Sequence, residues 1–387
     1  MKRIPISAVF AIALCNLASL RASKVSVALF GLQLGANPFQ IGILVALYAV
    51  FPMLLALHLG RFADRFGMKL PILCGSLGMA VGLSVPWFWP TLPGLYASAV
   101  AIGASHIFYH VSIQNLVGWL SRPEERTRNF ANYSLVHSAS AFIGPLVAGF
   151  GIDALGYGRA YLMLAVLPLL AVFILCKGGT LPAPSRNAAG EEGARRASDL
   201  WGLPELRRVF LTSAVVLTGI DLYQFYLPIY GHSVGLSASI IGMVLSAFAA
   251  ASFLVRSVMP PLVRWKGEEG LLRYALAIGA VAFLAVPAVD NPLLLGFVSF
   301  GLGLGMGGAQ PLSTILVYAR SPEGRSGESL GLRIAINNFI HIAVPLAFGT
   351  VGAALGVGPV FLANAALMAG GSYLSRSAPK SGGPEVR

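Results

Sequence analysis

Charge is scarce in this sequence. Of 387 residues only 11% are Asp, Glu, Lys or Arg, 56% are hydrophobic, and the mean hydropathy is +0.75. Soluble domains carry roughly 25% charged residues, so the chain lacks the polar surface that a water-soluble fold of this length needs. Cysteine is scarce too. Cys15, Cys74 and Cys176 lie in separate apolar stretches without CxxC spacing, which argues against a disulfide framework or a zinc cluster and leaves them as packing residues. Acidic residues number 15 against 27 basic ones, a net charge of +12. The basic residues fall in short clusters between apolar runs and form no continuous face, so nucleic acid is not an expected partner. Neither a Walker loop nor HExxH is present, so direct ATP coupling and zinc-protease chemistry find no support.

What is present is a series of apolar runs of bilayer length. A helix needs about 20 mostly apolar residues to cross a membrane, and lipid leaves no water for unpaired backbone groups, so each run is expected to be helical. Spans are predicted at 5–33, 39–59, 70–90, 93–119, 131–154, 159–176, 208–231, 238–260, 271–289, 292–318, 331–354 and 358–375. The first follows Lys2 and Arg3 without a cleavage site and reads as a retained span, not a signal peptide. The expectation is an all-α integral membrane protein of twelve helices.

The basic residues orient it. With these spans, 22 of the 27 fall on one side and only Arg159 on the other, while Arg21, Lys24, Arg256 and Arg333 fall within spans. That asymmetry predicts cytoplasmic termini. The polar stretch 177–206, with Pro182, Pro184, Arg195 and Arg196, reads as a cytoplasmic linker. It separates a first six-helix unit at 1–176 from a second at 207–376, with a tail at 377–387.

The two units repeat at an offset of 200 residues. Seven of fourteen positions are identical between the stretches beginning at Pro145 and Pro345, Ile41-Gly42 matches Ile241-Gly242, and Gly67 matches Gly267. Two halves of equal topology are related by an axis along the membrane normal, with a substrate site between them near mid-membrane.

Gly60-Arg-Phe-Ala-Asp-Arg-Phe-Gly-Met-Lys69, placed between spans 2 and 3, resembles the major facilitator superfamily signature G-x-L-A-D-R-x-G-R-K, with Phe62 and Met68 as departures. Ala141-Phe-Ile-Gly-Pro-Leu-Val-Ala-Gly149 resembles the antiporter motif of that superfamily through Gly144-Pro145. The resemblance covers the whole chain. It implies a monomeric transporter in a bacterial inner membrane, moving a small molecule through the lipid bilayer with proton coupling. It also implies conformational roles for Gly60, Asp64, Arg65, Gly67, Lys69, Gly144 and Pro145. The residues give a physical counterpart: Asp64, flanked by Arg61 and Arg65, suits the N-terminus of a helix of the other half.

Candidate binding residues lie in the span interiors. Of the fifteen acidic residues Asp221 alone falls deep within a span, and an ionisable group at that depth points to function. At the repeat offset Arg21 is the mate of Asp221, and Lys24 is the mate of Gln224. Arg21 and Asp221 are expected either to pair across a cavity or to leave Arg21 and Lys24 free for an anionic solute; Lys24 has snorkelling as an alternative. His106, His110 and Gln114 share a face of span 4 at i, i+4 and i+8. Gln310 is the mate of His110, and Asn337 the mate of His137. Two histidines without a carboxylate or thiol nearby make a polar wall and no metal site. No cofactor is expected.

These readings predict a secondary transporter of a small organic solute, exporting by alternating access with proton coupling. Uptake or exchange of an organic anion held by Arg21 and Lys24 is the alternative. A membrane receptor or membrane-embedded enzyme is the reading from another class.

Overall fold

The computed structural model describes residues 4–122, 124–179, 181, 198–322 and 325–375, and for residues 55–66, 127, 198, 326 and 327 the course of the backbone alone. Six long helices make the first half: α1 (Ile6–Gln33), α2 (Pro38–Phe66), α3 (Lys69–Phe88), α4 (Leu92–Leu120), α5 (Arg126–Leu155) and α6 (Tyr157–Lys177). A one-turn helix, α7 (Ser198–Trp201), precedes the second half. That half holds α8 (Pro204–Ser233), α9 (Ala238–Ser257), α10 (Met259–Ala285), α11 (Pro292–Met306), α12 (Ala309–Arg320), α13 (Ser326–Leu355) and α14 (Val357–Leu374).

Among the described residues, ten helical stretches are long and apolar enough to cross a membrane, α11 and α12 counting as one. The remaining two are α2, whose described apolar part Pro38–Leu54 is shorter, and α4, which is 29 residues long but carries His106, His110 and Gln114. Twelve spans result. Cys74 and Cys176, expected as packing residues, are exposed instead, and only Cys15 is half-buried.

The repeat is written into the backbone. Helix α2 starts at the cap Asn37 and α9 at the cap Ser237; α4 starts at Thr91 and α11 at Asn291. Each pair of caps is 200 residues apart, and each side-chain oxygen takes up an otherwise orphaned N–H of the first turn. Glycines with left-handed φ pair in the same register: Gly35 with Gly235, Gly67 with Gly267, and Gly156 with Gly356. Packing follows suit. Helix α1 lies against α5 and α6, and α8 against α13 and α14; α2 lies against α4, and α9 against α11.

Between the halves the largest contacts are α2 with α13 and α5 with α9. Here the repeat crosses over. A Cβ at Gly42 would run into the carbonyl of Pro345, and a Cβ at Gly242 into that of Pro145. Glycine at both sites lets helix backbones touch.

Two segments differ from the sequence expectation. The stretch from Gly60, placed outside the spans, continues α2 as helix to Phe66, so that only Gly67 and Met68 form the turn into α3. The tenth span, expected as one helix over 292–318, is broken between Met306 and Ala309. Pro311 has no N–H to give the carbonyl of Gly307, and its ring crowds that carbonyl. The guanidinium of Arg256 supplies the donor, Nε to the Gly307 oxygen at 2.8 Å.

Candidate functional site

A polar cavity of about 480 Å³ lies between the halves. Helices α1, α4 and α5 wall it on one side, and α8, α9, the α11–α12 break and α13 on the other. Arg21, Lys24, His106, His110, Asp221, Gln224 and Gln310 all line it, as does Pro145. Asn337 lines a second cavity of about 370 Å³ that shares Ser134, Arg256 and Gln310 with the first. Gln114 borders neither; its amide nitrogen lies 3.1 Å from Nε2 of His110.

The depth of these residues follows from helix register. Arg21 stands sixteen residues into α1 and Asp221 eighteen into α8, about 24–27 Å along each axis at 1.5 Å per residue. Three residues separate Arg21 from Lys24, and Asp221 from Gln224, which puts each pair on one face.

Arg21 and Asp221 are not bonded to each other. Among the described residues the guanidinium of Arg21 donates to Oε1 of Gln224 at 3.2 Å. The Asp221 carboxylate lies 2.5 Å from Nδ1 of His341. The side chains of Asp221 and His341 keep 17% and 37% of their exposure, so the pair opens into the cavity. His341 is absent from the sequence-based set. Its signal was present: Arg333, Asn337 and His341 form an i, i+4, i+8 stripe on α13, the pattern by which the α4 face is recognised.

The remaining cations also face inward. Lys24 lines the cavity 6.0 Å from the centre of the Tyr48 ring. Arg256 reaches Ser138 Oγ at 3.4 Å besides the Gly307 carbonyl. Arg333, buried, donates to Ser213 and Ser313 Oγ, both at 3.1 Å, and to the Gln310 carbonyl at 3.3 Å. On the wall that α4 and α5 share with α1, the rings of His106 and His110 lie 5.0 Å apart, and those of His110 and His137 5.8 Å. Among the described residues no group of three His, Cys, Asp or Glu side chains is placed to hold a metal ion.

Of the motif residues, Gly144 supports this wall from behind. A Cβ at Gly144 on α5 would sit 2.6 Å from Cβ of Arg21, so glycine there sets how closely α1 approaches. Gly67 is buried with φ 75°, and Lys69 opens α3. The side chains of Asp64 and Arg65, and the surroundings of Gly60, fall outside the described residues. A further contact, not anticipated from sequence, joins the halves beyond the cavity. Asp153, near the end of α5, accepts hydrogen bonds from the backbone N–H groups of Ala238 (3.1 Å) and Ser239 (2.8 Å). Its carboxylate thus caps the positive end of α9. Gly231-His-Ser-Val-Gly235 has the spacing of a serine-hydrolase elbow, yet it closes α8 with no strand before it, and Ser233 donates to the Tyr230 carbonyl at 2.7 Å.

The Major Facilitator Superfamily family model matches residues 9–345. The chain belongs to that superfamily. It is 23% identical over 343 residues to multidrug resistance protein 1 of Bacillus subtilis, covering 84% of this chain and 87% of the relative. To the class C tetracycline resistance protein of Escherichia coli it is 24% identical over 327 residues, covering 79% and 78%. Among solved structures the nucleoside transporter NupG superposes with a TM-score of 0.80 at 12% identity, covering 96% of this chain and 98% of that one. A transporter of the POT family gives 0.78 at 11%, covering 95% and 94%. The fold is therefore that of a major facilitator, and the chain is a multi-pass membrane transporter.

Proposed function

We propose that this chain is a proton-coupled exporter of small organic solutes in a bacterial inner membrane, with both termini cytoplasmic. The observation that carries the reading is the Asp221–His341 pair in the cavity wall. A carboxylate at membrane depth costs several kcal/mol, up to about 3.5, unless it is paired or hydrated. The two side chains meet at the cavity wall, and on this proposal the proton that moves with the solute is held there.

Three further features support the reading. The relatives named above are resistance proteins, which fits export. The cavity lies between two halves built alike, with Gly42 on Pro345 and Gly242 on Pro145 as crossed contacts about which the halves would rock to alternate access. Those contacts lie within one chain, so a monomer suffices. The face carrying most of the arginines and lysines is taken as cytoplasmic.

The test is transport in proteoliposomes with and without an imposed pH gradient. A solute found by thermal-shift screening is followed in wild type and in Asp221→Asn, since any bound ligand raises the melting temperature. Wild type should respond to the gradient; Asp221→Asn should lose that response and keep binding and counterflow. A full gradient response in Asp221→Asn would remove the proton-carrier role.

A further inference from the structure

The walls of the cavity are unequal in charge. Arg21, Lys24 and Arg256 face it, Arg333 faces the adjoining cavity, and Asp221 is the one carboxylate among the residues lining either. Asp221 is engaged by His341. Among the described residues the four cations are bonded or stacked only on neutral groups: Arg21 on the Gln224 amide, Arg256 and Arg333 on carbonyls and serine hydroxyls, and Lys24 on the Tyr48 ring, with Asp221 the one carboxylate whose charge reaches Arg21 and Lys24. Among the described residues none of them makes an ion pair with a carboxylate. Charges in such a setting are costly until an opposite charge joins them.

The arrangement is also directional. Arg333 stands eight residues into α13, His341 sixteen, so Arg333 lies nearer the basic face, with Arg21 and Lys24 deeper. Between these polar groups the wall also has apolar patches at Leu17, Leu217, Tyr223, Phe248 and Met306.

We propose that the transported solute is an amphipathic organic anion. Its carboxylate or comparable anionic group is taken by Arg21 and Lys24, and its ring or chain rests on the apolar patches. Arg21 offers a planar fork suited to a carboxylate, and Lys24, one turn on, adds a second charge. Arg256 and Arg333 draw the anion in from the cytoplasmic mouth. The proposal rests on the transporter reading above and names the class of its substrate. A cavity of about 480 Å³ is within the range that holds drug-sized molecules.

A matched pair of dyes tests it: fluorescein, an anionic xanthene, and rhodamine 6G, a cationic one. Binding is measured on the full chain in lipid nanodiscs, and movement in proteoliposomes with a pH gradient. Fluorescein should bind wild type, and Arg21→Gln or Lys24→Gln should weaken it about tenfold or more, the usual loss on removing a charged hydrogen-bond donor. Arg21→Lys, which keeps the charge, should lose less and checks that the site remains folded. Binding of rhodamine 6G in place of fluorescein, of neither dye, or of fluorescein unchanged in both Gln variants overturns the anion assignment. Gradient-driven movement of rhodamine 6G would do so while leaving the transporter reading intact. Fluorescein binding without gradient-driven movement upholds the anion site and sinks the proton-coupled reading.

Discussion

Gly144 on α5 lies directly behind Arg21 on α1, close enough that a Cβ at Gly144 would meet Cβ of Arg21 at 2.6 Å, with the Ala18 carbonyl almost as near. A methyl group there has no flexible neighbour to displace, so α1 itself must move. Gly144→Ala should cost about 1–3 kcal/mol, as overpacking does, and should lower transport more than it lowers expression. Melting temperature and proteoliposome transport, measured together, decide it. Wild-type values for both would show that α1 has slack at this point.

The pairing of Asp221 is testable as a double-mutant cycle. His341 is its partner and Arg21 is not in contact with it. Asp221→Ala and His341→Ala should therefore be non-additive in stability by about 0.5–3 kcal/mol, whereas Asp221→Ala and Arg21→Ala should come closer to additive. Stronger coupling of Asp221 to Arg21 than to His341 would reverse the assignment.

A second cycle probes the break between α11 and α12. The buried carbonyl of Gly307 takes its donor from Arg256 because Pro311 offers none. Arg256→Leu should destabilise by about 1–3 kcal/mol, the cost of a buried acceptor left without a donor. Adding Pro311→Ala restores a backbone N–H four residues on and should recover much of that loss. Thermal melts of the two single variants and the double variant suffice. Simple summation of the two effects would show that Pro311 does not govern this carbonyl.

Asp153 ties the end of α5 to the start of α9 through two backbone hydrogen bonds. Asp153→Ala removes both and the favourable charge at the helix terminus, worth about 0.3–1 kcal/mol. The opening equilibrium on that face should shift by roughly two- to fivefold. A cysteine introduced at Leu245, in a chain with its three cysteines replaced by serine, should react faster with a maleimide added from that face. An unchanged rate would make the contact a cap without a part in opening.

Much of this was legible in the sequence. Apolar run lengths marked the spans, because lipid permits no other backbone solution. Equal offsets marked the repeat, because caps and left-handed glycines are local requirements that each half meets with the same residue or one of the same kind. Depth alone picked out Asp221. What lay beyond reach needed packing. His341 sits on a stripe as regular as that of His106 and His110, yet only the approach of α13 to α8 makes it the partner of Asp221. The run from Phe300 to Gly308 reads as continuous apolar helix, and its break depends on an arginine from another helix. Around Gly60 the charged residues suggested a loop, but Arg, Ala and Asp at the membrane edge do not prevent a helix from running on.

The crossed contacts also bear on origin. Gly42 meets Pro345 while Gly242 meets Pro145, so each half presents the same two residues that it receives. A surface that accepts its own copy is the defining property of an isologous dimer interface. A six-helix ancestor with glycine at the first position and proline at the second would have possessed both contacts the moment two copies met in the membrane. Joining two such copies in one chain would add a connection and require no new interface.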